Sequence, residues 1–183
     1  LVAGWDDCGF LHISSSSIYG NSLEPVQEHV QAQPMGQYAK QKVEIEAYLE
    51  NNSSDQTRVV IARLFSVYGP AVRPDLAMYK ILDSIFREQE FSVYGQGEQT
   101  RDWTFISDVV AGLVLLTHRI LDACSSEGCE VFNIGAGKTV SLNEVIQETE
   151  RLSGRKLRIQ HLESVDYEPQ STFANTEKLE KLG

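Results

Sequence analysis

The chain is poor in basic residues: sixteen Lys and Arg stand against twenty-six Asp and Glu, a formal net charge of −10 over 183 residues. A field of that sign repels phosphate backbones, and no local basic patch offsets it, so nucleic acid is not expected as a partner. An anionic small molecule would need cationic side chains gathered at its own site. Cysteine is equally scarce. Cys8, Cys124 and Cys129 are an odd number without metal-type pairing, which argues against a disulfide framework and fits a reduced, cytoplasmic setting. His12, His29, His118 and His161 lack the short repeated spacing of a zinc site. No apolar run approaches the roughly 18 residues of a membrane span, and the start has no basic stretch leading into an apolar signal core, so no membrane association is expected. Internal repeats and low-complexity linkers are missing too.

What is present is ordinary globular composition, 42% hydrophobic and 23% charged, enough for a sizeable core. "GFLHIS" (Gly9 to Ser14) reads as a short buried strand. A loop with Pro25 and Pro34 leads to a helix from Met35 to about Asn51, with Tyr38, Lys42, Ile45 and Leu49 at helical spacing. "RVVIARLFSVYGP" (Arg58 to Pro70) reads as one further buried strand that stops at Gly69-Pro70. Asp75 is placed to cap a helix whose stripe is Leu76, Tyr79, Leu82 and Phe86. Short strands follow at "FSVYG" and "DWTFI", then a helix from Ser107 to about Leu121 and a strand at "VFNIG". Ser141 with Glu144 forms a capping box for a helix ending near Ser153, and "KLRIQHL" is the last strand. Phe65, Phe86, Trp103 and Leu113 read as core. Strands alternating with helices predict an α/β fold with a parallel sheet and a more irregular later portion.

Two stretches carry chemistry. "QYAKQK" (Gln37 to Lys42) puts Tyr38 and Lys42 at i and i+4, on one helical face and one turn apart. An ammonium held near a phenol favours the phenolate, and such a tyrosine can act as a base near neutral pH. That spacing arises by chance on many amphipathic helices. The serine run "SSSSIYG" (Ser14 to Gly20) supplies the second half of the argument, because it sits at a strand end, where ligands bind in parallel sheets. A serine hydroxyl there can share a hydrogen bond with the phenol and a substrate alcohol.

Ser/Thr followed by Tyr-x-x-x-Lys resembles the active site of the extended short-chain dehydrogenase/reductase family, the NAD-dependent epimerases and dehydratases. The likeness runs in the family's order through "FLHISSSSIYG", "QYAKQKVEIE", "RLFSVYGP", "VYGQGEQTRDWTFISDVV" and "FNIGAGKTVSLNEV". It implies that Ser15, Tyr38 and Lys42 are catalytic, and that Ser14, Tyr38, Lys42 and Phe65 contact NAD. Sugar-nucleotide dehydratases of the family carry Asp-Glu after the catalytic Ser/Thr, whereas Ser16 and Ser17 cannot ionise. Epimerisation by oxidation and re-reduction at carbon 4 is the expected reaction. "YGPAVRPDLA" (Tyr68 to Ala77) is similar to the signature of UDP-glucuronate 4-epimerases, which implies that Arg73 meets the sugar carboxylate through its planar fork; the alternative is that Arg73 merely caps a turn before Pro74. By the same likeness Ser15, Ser16, Ser17 and Ser66 would touch the sugar, Arg101 the diphosphate, and Val93, Tyr94 and Gly95 the uracil. Lys80 departs from the Arg common in relatives. Asp102 and Asp108 are expected to be structural.

The likeness implies that residues 1–70 form the later half of a Rossmann NAD-binding domain with the catalytic groups. Residues 71–183 would mainly bind the sugar nucleotide, with about 100–135 returning to the first domain. "GAGKT" (Gly135 to Thr139) imitates a phosphate loop, but Phe132 stands where that motif needs glycine. No Gly-rich dinucleotide turn is found; the likeness places it, with the strands that follow it, within about the first hundred residues of the family, upstream of Leu1. The chain alone is therefore expected to be inactive, and the complete protein to be a homodimer. UDP-galactose-type epimerisation, UDP-sugar reduction, and a non-catalytic UDP-sugar-binding domain remain open alternatives.

Overall fold

The computed structural model describes residues 8–54, 57–122, 128–164 and 169–183; Cys124 lies outside them. The chain runs through β1 (Cys8–Ser15), a 3₁₀ turn (Ser16–Tyr19), α1 (Gly36–Asn51), β2 (Thr57–Leu64), β3 (Ser66–Tyr68) and α2 (Ala77–Arg87). Next come β4 (Glu90–Tyr94), β5 (Thr100–Arg101), β6 (Trp103–Phe105), α3 (Ile106–Leu121) and β7 (Cys129–Ile134). β8 (Val140–Ser141), α4 (Leu142–Ser153), β9 (Arg158–Leu162), β10 (Ser171–Thr172) and α5 (Glu177–Glu180) complete it. Among the described residues no helix is long and apolar enough to cross a membrane.

β1, β2 and β7 make a parallel sheet in the order β1-β2-β7. The middle of its central strand, Val59–Ala62, is an unbroken apolar run because helices cover both faces. Successive side chains alternate across the pleat. Val60 and Ala62 pack with Val109 and Leu116 of α3, while Val59 and Ile61 pack with Leu49 of α1. The fold is α/β with helices on both sides of a parallel sheet, as the alternation of elements predicts. The register sets Ser15 opposite Leu64 and Leu64 opposite Ile134, so the carboxyl ends of the three strands are level. A second core lies beyond them, where Ile81 and Ile85 of α2 meet Phe91 and Val93 of β4 and Ile146 of α4.

Phe10 and His12 lie on the α1 side of β1, with their rings stacked 6.5 Å apart. Burial lowers the His12 pKa below its usual 6.5, the Lys42 ammonium adds to the effect, and Glu46 opposes it. The unfolded chain therefore takes up this proton at a higher pH than the fold does. Stability from the neutral ring is complete above about pH 6.5 and is lost as pH falls below that value through the folded pKa. Urea denaturation from about pH 7.5 down to about pH 5 should show that slope, and His12→Phe should flatten it.

Three expectations need correction. The Arg58–Pro70 strand is broken at Phe65. Its N–H donates to Ile134 O at 3.1 Å, still within the first sheet, whereas the Ser66 N–H donates to Asp102 O at 2.9 Å. The chain changes partners there, and β3 pairs with β6 instead. Asp75 does not cap α2; its carboxylate takes a bond from Arg73 at 2.9 Å, and the N-cap residue is Leu76, which has no capping side-chain bond. The buried stripe of α2 is Ile81 and Ile85, while Leu82 and Phe86 are 38% and 58% exposed. Ile81/Ile85 and Leu82/Phe86 have the same i, i+4 spacing, so periodicity cannot choose between them; the position of α4 does. The capping box is as expected: Ser141 accepts from the Glu144 N–H at 3.2 Å, and Glu144 Oε2 accepts from the Ser141 N–H at 2.8 Å. Gly154 ends that helix in the left-handed region at φ 67°.

Asp102 ties the strand junction to the Gly-rich turn. It is fully buried, and its carboxylate accepts from the N–H groups of Ala136 at 2.7 Å, Gly137 at 3.1 Å and Ala174 at 3.3 Å, and from the Thr104 hydroxyl at 3.1 Å. The phosphate-loop look of "GAGKT" is thereby explained. It is an anion-binding turn whose anion is the protein's own. Gly135 is required because a Cβ would lie 2.4 Å from Ala174 Cβ and 2.9 Å from Asp102 Oδ2, and Gly137 because its φ is +65°. Burial pushes the Asp102 pKa up, and the hydrogen bonds oppose it. Asp102→Asn replaces one acceptor oxygen with a donor facing donors, and should cost about 1–3 kcal/mol in urea unfolding.

Candidate active site

The level strand ends and the start of α1 enclose a cavity of about 570 Å³, within the usual range for a small-ligand site. β1 brings Ser14 and Ser15 to its wall, α1 brings Tyr38 and Lys42, and the break after β2 brings Phe65 and Ser66. Arg73 reaches it from the loop before α2, Tyr94 from the end of β4 and Arg101 from β5. Nine of the thirteen expected site residues therefore share one space.

Tyr38 is 58% exposed. Lys42 Nζ lies 5.8 Å from its ring centroid and donates to Ile13 O at 2.8 Å. The ammonium is thus anchored on the outer strand of the sheet while staying over the phenol ring. Ser15 Oγ accepts the Ser17 N–H at 3.2 Å and so caps the 3₁₀ turn, which leaves its own O–H able to donate. Four cationic side chains, Lys42, Arg73, Lys80 and Arg101, line the cavity against the single carboxylate of Asp75. In a chain of net charge −10, that reversal of sign suits an anionic ligand.

The remaining four lie elsewhere. Ser16 is buried at the start of the 3₁₀ turn, and the Ser17 hydroxyl is buried as well. Val93 packs in the second core. Gly95 borders a neighbouring cavity, with its N–H donating to Leu162 O at 2.9 Å. Ser14 lines the wall, but its hydroxyl donates to Glu46. Trp103, read from the sequence as core, forms part of the cavity wall and donates its indole N–H to Val140 O at 3.2 Å. Met78, Ser92 and Gln99 also line the cavity; no spacing marked them, because three separate segments deliver them.

Behind the cavity is a buried polar cluster. Arg63 Nη2 contacts Glu46 Oε2 at 2.6 Å, and its Nε lies 3.2 Å from both Glu46 oxygens. Arg63 Nη1 donates to Tyr19 Oη at 2.7 Å, and Tyr19 donates in turn to Asn133 Oδ1 at 2.7 Å. Burial works against the Arg63 charge, and its bonds to Glu46 and Tyr19 outweigh that, keeping its pKa above the ordinary value. Burial pushes the Tyr19 phenol up to about 12, so this tyrosine stays neutral. Among the described residues no group of His, Cys, Asp or Glu could hold a metal ion.

The model of the NAD dependent epimerase/dehydratase family matches residues 4–140. A UDP-glucuronate 4-epimerase from Thermodesulfobacterium geofontis is 31% identical over 173 residues, covering 92% of this chain and 51% of that protein. A protein of Bacillus subtilis named as an uncharacterized UDP-glucose epimerase is 32% identical over 174 residues, covering 94% and 54%. Among solved structures, the UDP-glucuronic acid 4-epimerase of Bacillus cereus in complex with UDP-glucuronic acid and NAD superposes with a TM-score of 0.85 at 33% identity, over 95% of this chain and 55% of that one. MoeE5 in complex with UDP-glucuronic acid and NAD gives 0.87 at 30% identity, over 95% and 57%. The chain spans about half the length of the curated relatives it matches.

Proposed function

The chain belongs to the NAD dependent epimerase/dehydratase family, and from that premise we propose that the whole protein interconverts UDP-sugars epimeric at carbon 4, with UDP-glucuronate preferred. The observation that carries this is the meeting of Ser15, Tyr38 and Lys42 with Arg73 and Arg101 around one cavity. Tyr38 takes the proton of the sugar 4-hydroxyl, and Ser15 donates a hydrogen bond to the same oxygen. Lys42 supplies the positive charge beside the phenol. Bound NAD would supply reversible hydride chemistry at carbon 4 without net consumption. The donors at Ser15, Tyr38 and Lys42 suit the ribose end of that cofactor. The Gly135–Gly137 turn does not offer a pyrophosphate site, since the N–H groups of Ala136 and Gly137 are occupied by Asp102.

Arg73 is the group that selects an acidic sugar, and Arg101 faces the diphosphate. The relatives named for UDP-glucuronate support this preference. A UDP-galactose-type preference is the second reading, favoured by the pairing of Arg73 with Asp75 at 2.9 Å. Incubating the whole protein with UDP-glucuronate, UDP-glucose and UDP-N-acetylglucosamine and separating the products decides between them. UDP-galacturonate is expected as the main new product, and Arg73→Ala should raise KM for UDP-glucuronate about 10- to 100-fold while that for UDP-glucose moves little. Turnover of neutral UDP-sugars alone would favour the second reading.

A further inference from the structure

Two bonds fasten α1 to the last residues of β1. Lys42 Nζ donates to Ile13 O at 2.8 Å, and the Ser14 hydroxyl donates to the Glu46 carboxylate. Lys42 and Glu46 are one helical turn apart, and Ile13 and Ser14 immediately precede Ser15, so the helix that carries Tyr38 grips the strand that carries Ser15 just before it. The grip is repeated on the far side of Ser15. Ser15 caps the 3₁₀ turn, whose last residue, Tyr19, is held by Arg63 Nη1 at 2.7 Å. Arg63 also holds Glu46, so both ends of the Ser15 segment lead back to one ion pair. Ser14, Glu46, Arg63 and Tyr19 are all buried. A buried ion pair is a poor source of stability, because well-packed apolar residues often do as well. A fixed register between two elements is a better reason for its presence here.

We propose that Glu46 is a positioning residue of the active site, holding Ser15 in register with Tyr38 and Lys42 through its bond to Ser14. The proposal rests on the reading that Ser15, Tyr38 and Lys42 carry the chemistry. A displacement of about 1 Å between reacting groups can cost about a hundredfold in rate, and Ser14 is the connection through which Glu46 prevents it.

The test uses the whole protein with its bound NAD. Ser14→Ala removes the connection and leaves the Arg63–Glu46 pair intact; because the Ser14 hydroxyl is held by Glu46 and is not free for the cofactor, kcat should fall roughly 10- to 100-fold with KM and NAD content close to the parent values, assayed at a temperature where the variant is fully folded. Ser14→Thr keeps the hydroxyl and should recover most of the rate. Glu46→Leu, which offers no acceptor to the Ser14 hydroxyl, should also lower kcat; should it fail to fold, the Ser14 pair still decides. An unchanged kcat in Ser14→Ala, a loss shared by Ser14→Thr, or a loss that follows NAD content or thermal stability would overturn the proposal. Tyr38→Phe is assayed in parallel. If it is as active as the parent, the underlying reaction falls and the proposal with it; if it is inactive while Ser14→Ala is normal, only the positioning role falls.

Discussion

Tyr38→Phe in the whole protein is expected to lower kcat for carbon-4 epimerisation by about 10²- to 10⁴-fold, the usual contribution of a positioned acid–base group, and to leave KM for the UDP-sugar nearly unchanged. The substitution deletes one oxygen from a side chain that is 58% exposed. It removes no packing and leaves the 2.8 Å bond from Lys42 to Ile13 O in place. A large rate loss would then report lost proton transfer and not a disturbed fold. Steady-state turnover with chromatographic separation of the epimers measures it, alongside thermal melting to confirm an unchanged structure. Normal turnover would remove Tyr38 from the mechanism.

The second large effect is on stability. Arg63→Met leaves the Glu46 carboxylate buried without the cation that lies 2.6 Å from it. It also takes a donor from Tyr19 Oη and from the Glu28 carbonyl, which Arg63 Nη1 reaches at 2.8 Å. Removing one partner of a buried pair costs about 3–5 kcal/mol, a large part of the roughly 5–15 kcal/mol that holds an ordinary domain together. Urea unfolding of Arg63→Met should show that loss. Adding Glu46→Gln should recover much of it, because no buried charge then remains; a single variant within about 1 kcal/mol of the parent would mean that the pair is not a buried, mutually dependent unit.

Local chemistry was legible where neighbours in sequence are also neighbours in space. The Ser141–Glu144 capping box, the extent of α1 and the i, i+4 relation of Tyr38 to Lys42 all follow from contacts within a turn or two. The apolar run Val59–Ala62 announced a strand covered on both faces. The expectations that failed depended on partners far along the chain. Phe65 ends β2 because Asp102 captures the next residue, and α2 buries Ile81 and Ile85 in place of Leu82 and Phe86 because α4 lies on that side. Trp103 looked like core by its hydrophobicity alone, yet it faces the cavity.

The same division holds for the site. By itself the sequence determined which groups could do the chemistry: an acid–base tyrosine with a lysine one turn on, a serine at a strand end, and arginines for an anion in an otherwise acidic chain. Only the tertiary structure decided that these groups face one cavity, that Ser16 and Ser17 do not, and that the anion-binding turn at Gly135–Gly137 is filled by Asp102. The reason is physical: side-chain type and helical spacing are local properties, whereas the meeting of Ser14 with Glu46, or of Asp102 with Ala136, spans 32 and 34 positions of chain and exists only once the parallel sheet has brought its strand ends together.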